Sequence, residues 1–223
     1  MAWLRDILAA HQLALELLHG QAFFVLGLSI LFLARQGARL EIARGLTPLA
    51  VFGFCESLVA WSTAGITYSG AAAPWLGWAR LLLMTVGYIF LVVFALRTHV
   101  PFGRQNWRHW ALVVGLLLLW PAGFIIAYQA GVPREQVWLW GEIAARYGLA
   151  LPGGLIGARG LYRQTHRTIE PERLPLVRPH LRVTWFALGL FGLFGGLIGP
   201  VAPLFPANWL NQDALFHIAG IPI

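Results

Sequence analysis

Charged residues are scarce in this chain of 223 residues, and lysine is missing altogether. Only 11% of the residues are charged, whereas a soluble domain usually carries about 25%. Hydrophobic residues make up 58% of the sequence, and several apolar runs reach the length of about 20 residues that a helix needs to cross a bilayer. This composition indicates an integral membrane protein.

Cysteine occurs once, at Cys55, which excludes an internal disulfide and any Cys-x-x-Cys redox or zinc motif. The chain also lacks the motifs of phosphate-binding loops, dinucleotide sites, serine hydrolases and zinc proteases. Its loops are too short to hold a catalytic domain. We therefore predict that the chain is not itself an enzyme and that it binds no metal and no cofactor. A less favoured alternative is an outer metal site formed by His11, His19 and His217.

The apolar runs predict an all-α, polytopic membrane helix bundle, a single domain over residues 1–223. Leu, Phe, Val, Ile, Ala and Gly dominate the interior of each run. The six predicted spans cover residues about 15–34, 47–66, 75–97, 109–129, 138–160 and 181–201. After them, Pro203 and Pro206 break the helix, and residues 203–223 are expected to lie in the outer membrane interface.

All sixteen basic residues are arginines, and their distribution between the loops predicts the orientation. Three alternate loops, residues 35–46, 97–109 and 159–182, hold twelve arginines, whereas the loops between them hold only Arg134. Because basic loops stay in the cytoplasm, we expect the N-terminus to lie outside. The loop arginines are expected to contact the lipid bilayer, and nucleic acid is not an expected partner.

Two segments near the ends of the chain resemble a known group of bacterial proteins. Residues 19–61, HGQAFFVLGLSILFLARQGARLEIARGLTPLAVFGFCESLVAW, join a Phe-Phe-x-x-Gly helix through an Arg-rich loop to a helix with Phe-Gly. Residues 205–223, FPANWLNQDALFHIAGIPI, carry a Gly-Ile-Pro near their end. Both segments are similar to the membrane-embedded N-terminal sensory domain of bacterial sensor histidine kinases and diguanylate cyclases.

This resemblance implies a seven-helix sensory domain of the bacterial inner membrane, here ending before the seventh helix. That helix would lead into a PAS, kinase or cyclase module. We therefore expect a signal-input domain that detects an extracytoplasmic or membrane-dissolved cue and couples it to a cytoplasmic output module. A homodimer or a membrane protein partner is expected.

The chain departs from this group in the second helix. The histidines that often follow Phe-Gly are absent, since Phe52-Gly53 is followed by Phe54, Cys55 and Glu56. A ligand that depends on those histidines is therefore not implied. The alternative hypothesis for the function is a non-catalytic membrane subunit of a larger redox or transport complex, and a small transporter or channel is the third.

Ionisable residues inside the predicted spans are the candidates for a ligand site, because a charge at the bilayer centre costs at least about 2.5–3.5 kcal/mol. Several of them belong to the outer half of the bundle. Together with an outer aromatic residue, they are predicted to line one outward-opening cavity for an unknown small ligand. The candidates are Glu56, Arg80, Glu142, Arg146, His19 and Trp61.

If these residues line one cavity, Arg80 should pair directly with Glu142, because an unpaired guanidinium inside a membrane is costly. Glu56 lies deeper, and water is expected to bridge it to this pair. In the alternative interpretation, Glu142 neutralises only Arg146, four residues further along the same helix face, while Arg80 reaches the lipid headgroups.

Glycines at i and i+4 predict close helix packing in the sixth span. Such small-xxx-small pairs allow two helix backbones to approach each other. We expect them to mediate contacts within the domain or across a dimer. The glycines concerned are Gly192, Gly195, Gly196 and Gly199.

Overall fold

The computed structural model describes residues 11–36, 41–69, 74–99, 107–133, 137–167, 177–200 and 207–209. The regular secondary structure in these ranges is entirely helical. The helices are α1 (Gln12–Gln36), α2 (Glu41–Ser69), α3 (Pro74–His99), α4 (Trp107–Gln129), α5 (Val137–Ala145), α6 (Leu151–Arg167) and α7 (Val177–Leu197). A π-helical segment, Arg146–Ala150, joins α5 to α6 without a break. The predicted interfacial segment, 203–223, lies outside the described residues except for 207–209.

Within these described residues, three helices are long and apolar enough to cross a membrane. They cover Leu13–Arg35, Gly45–Ile66 and Trp75–Thr98, with 22 to 24 residues each. A shorter apolar helix covers Arg182–Leu197. These helices indicate a membrane protein, in agreement with the composition.

The end of the sixth predicted span differs from the structure. Helix α7 ends at Leu197, whereas the prediction extended to residue 201. The last backbone hydrogen bond of helical type runs from Ile198 N to Phe194 O, at 3.1 Å. Pro200 accounts for the earlier end, because it has no N–H to donate and it disfavours helical backbone in the residue before it.

Pro152 explains why the helix widens between α5 and α6. In a regular α-helix its ring would clash with the carbonyl group of Gly148, and it has no N–H to donate to that group. The chain instead forms a π turn, in which the N–H of Leu151 donates to the carbonyl oxygen of Arg146, five residues earlier. Arg146 therefore begins a wide turn of the kind often found at functional sites.

Helix α3 lies at the centre of the described bundle. It packs against α2, α5, the π segment and α6, and its Tyr88, Leu91 and Phe94 are at most 2% exposed. Phe191 of α7 completes this core, since its ring contacts the rings of Phe52 and Tyr88 at centroid distances of 5.1 and 6.4 Å. The core therefore joins α2, α3 and α7.

Helices α6 and α7 approach each other backbone to backbone through glycines. A Cβ atom added to Gly154 would lie 2.5 Å from the Cα of Gly192, and one added to Gly196 would lie 2.7 Å from the Cα of Leu151. Neither distance is possible without moving a backbone. Gly192 and Gly196 are thus the predicted packing glycines that lie in this contact.

Gly195 and Gly199 have different surroundings from the other two glycines. The atoms nearest to a Cβ on Gly195 would belong to the ring of Phe191, in its own helix, at 3.0 Å. A Cβ on Gly199 would lie 3.6 Å from Cδ of Arg146 and 3.9 Å from Ile143. These two glycines lie beside the Arg146 side chain rather than in the α6–α7 contact.

Candidate functional site

Three charged side chains meet where α3, α5 and the π segment pack together. Arg80 Nη2 donates a hydrogen bond to Glu142 Oε2 at 2.7 Å. Arg146 donates from Nε and Nη2 to the other oxygen, Glu142 Oε1, at 3.0 and 2.8 Å. Glu142 therefore binds one guanidinium through each of its oxygens. We call Arg80, Glu142 and Arg146 the charge cluster.

The local sequence places each member of the charge cluster. Arg80 lies in the second turn of α3, and the Trp138 ring lies 6.0 Å from its guanidinium carbon, a distance at which an aromatic ring attracts a cation. Glu142 lies in the second turn of α5 and Arg146 follows four residues later, so the two share one side of the helix. Only helix packing brings Arg80 to them.

Burial differs sharply between the carboxylate and the two guanidiniums. The side chain of Glu142 is 3% exposed, whereas those of Arg80 and Arg146 are 23% and 18% exposed. A carboxylate that is buried to this extent must be paired and hydrogen-bonded, because an uncompensated buried charge is strongly destabilising. Glu142 is thus the buried centre of the cluster, and the arginines form its accessible edge.

Arg146 also connects the cluster to α7. Its Nη1 donates to the carbonyl oxygen of Gly195 at 2.7 Å. Gly195 lies in the last turn of α7, where carbonyl groups have no partner within the helix. A cation at this position also interacts favourably with the negative end of the helix dipole. Polar contacts therefore run from α3 through Glu142 and Arg146 to the end of α7.

Glu56 of α2 lies near this cluster but is not bonded to it. Its side chain is deep in the bundle, with the residue 7% exposed, and the charges of Arg146, Glu142 and Arg80 act on it. In the part of the chain that the structure describes, Oε1 of Glu56 is buried and has no hydrogen-bond partner. Since buried polar atoms are nearly always bonded, this oxygen keeps Glu56 a candidate site residue.

His19 is exposed on α1, and Trp61 of α2 makes a hydrogen bond to α1. The ring of His19 lies 5.0 Å from that of Phe23, and Trp61 Nε1 donates to the carbonyl oxygen of Leu17 at 3.4 Å. Across the described ranges, no hydrogen bond or ion pair joins His19 or Trp61 to the charge cluster. The structure thus brings together three of the six predicted site residues directly and Glu56 electrostatically.

The predicted pairing of Arg80 with Glu142 is confirmed, and the alternative in which Arg80 only reaches lipid headgroups is wrong. Sequence reasoning missed the hydrogen bond from Arg146 to Gly195 and the π turn that positions Arg146. The sequence signal for an irregular helix there is Pro152, six residues after Arg146, which the sequence analysis did not use.

Within the described ranges, no group of three or more His, Cys, Asp and Glu residues could hold a metal ion. His217, which belongs to the alternative metal site of the sequence analysis, lies outside those ranges. No family model, curated protein or solved structure matches the chain.

Proposed function

We propose that the chain is a six-span sensory domain of the bacterial inner membrane, with its N-terminus outside. It would detect an extracytoplasmic or membrane-dissolved cue and couple it to a cytoplasmic output module. Three candidate spans are already evident in α1, α2 and α3. Helix α4, the continuous rod from α5 to α6, and α7 would supply the other three.

Surface composition supports the membrane placement of these helices. Large apolar side chains are exposed on the outer faces of several helices, and hydrocarbon is the solvent that suits them. Examples are Leu18 and Phe32 of α1, Leu118 of α4 and Val183 of α7, which are 54% to 68% exposed. The arginine-rich loops then set the orientation proposed from the sequence.

Cysteine labelling tests this orientation. In a Cys55→Ser background, Phe102→Cys and Thr168→Cys should react with a membrane-impermeant maleimide only after the cells are permeabilised. Ala72→Cys should react in intact cells, and it serves as the matched control for access from outside. Labelling of position 102 or 168 from outside would overturn the proposed topology.

The observation that carries the signalling proposal is the continuous polar connection from Arg80 to Gly195. A ligand that alters the contacts of Arg80 or Glu142 would change how firmly Arg146 holds the end of α7. Such a change would shift the population between two arrangements of the bundle, which is how a ligand acts on a two-state protein. The chain that follows α7 would carry the shift onwards.

The reading frame of the gene beyond Ile223 gives the first test of the proposed function. We expect it to continue into an apolar seventh helix and then a kinase, PAS or cyclase module. In membranes that contain the whole gene product, Arg146→Met should change the output activity, because it removes the contact with α7. The control variant Gly189→Ala, which changes α7 itself away from its contact with Arg146, should leave the activity unchanged.

Purification separates this proposal from the alternative of a membrane subunit. A sensory domain is expected to purify by itself or as a homodimer. Recovery in a fixed stoichiometry with redox or transport subunits would instead support the alternative and would contradict signal input.

A further inference from the structure

We propose that the charge cluster is an oxyanion-binding site, which takes one carboxylate or phosphate group at the accessible edges of Arg80 and Arg146. This inference deepens the proposed function by naming the chemical class of its ligand. The argument depends on the hydrogen-bond donors of the two arginines, on the charge of the cluster and on access to it.

Arg80 has hydrogen-bond donors to spare. A guanidinium carries five N–H groups in a planar fork that matches a carboxylate or a phosphate. Across the described residues, the hydrogen bonds of Arg80 are limited to the one from Nη2 to Glu142. More of the N–H groups of Arg146 are engaged, since it donates to both Glu142 and Gly195. An incoming oxyanion would therefore bind mainly to Arg80.

The charge of the cluster favours an anion. Two guanidiniums share one carboxylate, so the cluster carries one net positive charge. Glu56 is not counted in this sum: its Oε1 makes no hydrogen bond within the described chain, and the residue interacts with the three side chains electrostatically. Excess charge is costly in a low-dielectric bundle, and a single oxyanion at the guanidiniums would reduce that cost. A second cation would be repelled.

Access is also arranged for an anion. The two arginine side chains are partly exposed, whereas the carboxylate between them is buried, so an approaching molecule meets positive charge first. Trp75 and Trp78 are exposed in the first turns of α3, just before Arg80. Exposed tryptophans are typical of the membrane interface, where both lipid phosphates and dissolved carboxylates are present.

The test uses the whole chain purified in the uncharged detergent dodecyl maltoside. Its melting temperature is followed by tryptophan fluorescence while dioleoylphosphatidylglycerol, sodium acetate or sodium phosphate is added at constant ionic strength. A ligand that binds only the folded state raises the melting temperature with concentration. We expect at least one of these oxyanions to do so.

Arg80→Gln should weaken this binding about tenfold or more, because it removes the charged fork that holds the oxyanion. The matched control is Arg159→Gln on α6, an exposed arginine outside the cluster, and its binding should equal that of the unchanged chain. If Arg80→Gln does not fold, Arg80→Lys takes its place, with weaker binding expected because lysine lacks the fork.

The three probes distinguish the source of the oxyanion. Stabilisation by phosphatidylglycerol alone identifies a lipid headgroup, and stabilisation by acetate or phosphate identifies a dissolved ligand. The proposal is overturned if none of the probes stabilises the chain or if the Arg80 variant responds as strongly as the unchanged chain. Because no output is measured, a failure of the signalling proposal would leave this result unaffected.

Discussion

Helix α7 is held by two kinds of contact, backbone packing of glycines against α6 and a hydrogen bond from a charged side chain. Through Gly192 and Gly196 its backbone touches that of α6. Its last turn is bound by Arg146, which is itself held by Glu142. Close backbone packing tolerates little displacement. A hydrogen bond from a charged side chain can be exchanged for another partner, so under the proposed function the contact between Arg146 and Gly195 is the one that a ligand would change.

The largest expected effect comes from the charged region. Glu142→Ala should lower the free energy of unfolding by about 3 kcal/mol, at the lower end of the range for a broken buried ion pair, because both guanidiniums are partly exposed. Unfolding in mixed detergent and sodium dodecyl sulfate micelles would measure it. Glu142→Gln is the matched control and should cost less, since its amide oxygen still accepts a hydrogen bond. A loss below about 1 kcal/mol for Glu142→Ala would show that the cluster adds little to stability.

The glycine region should show a smaller effect, and one that depends on position. Gly196→Ala should destabilise by about 1–3 kcal/mol, because the new Cβ would lie 2.7 Å from the Cα of Leu151. Gly189→Ala, two turns earlier, places its Cβ 3.6 Å from that of Ala158, an ordinary contact. That variant should be neutral or slightly stabilising, as the helix loses a flexible residue. Equal melting temperatures for the two variants would contradict close packing as the reason for these glycines.

The smallest effect is expected at the opposite end of α3 from Arg80. Gln164 Nε2 donates to the carbonyl oxygen of Thr98 at 3.2 Å, a neutral contact in the last turn of α3. Gln164→Ala should cost about 0.5–1.5 kcal/mol, the usual net value of one such hydrogen bond. The same unfolding assay applies, with Gln164→Glu as the control that keeps an oxygen but loses the donor. A cost as large as that of Glu142→Ala would remove the contrast between the charged and neutral ends of α3.

Part of the candidate site could be predicted before the structure. Glu142 and Arg146 are four residues apart, and helical periodicity alone puts them on one face. Glu142 was predicted as the partner of Arg80 because an unpaired guanidinium inside a membrane is costly and the predicted spans contain few carboxylates. The hydrogen bond to Gly195 was not predictable in this way, because any backbone carbonyl at a helix end can accept one.

The roles of individual glycines were less predictable than the existence of glycine packing. Both i, i+4 pairs in the sixth predicted span match the same small-xxx-small pattern, yet Gly192 and Gly196 are the pair that lies against α6. The other pair lies beside Arg146, which donates to the carbonyl oxygen of Gly195 and whose Cδ would lie 3.6 Å from a Cβ on Gly199. The rotation of α7 about its own axis decides which pair faces α6, and the spacing of the glycines in the sequence does not determine that rotation.

Composition and local periodicity by themselves determined that the chain is helical and of membrane character, because both depend on residues close together in sequence. They also placed Glu142 beside Arg146. Only the tertiary structure decided which helices share the charge cluster. Arg80 and Glu142 are 62 residues apart, and Arg146 and Gly195 are 49 apart. Contacts over such separations depend on how the helices pack, and that packing is determined by buried glycines, by the aromatic core and by the π turn before Pro152.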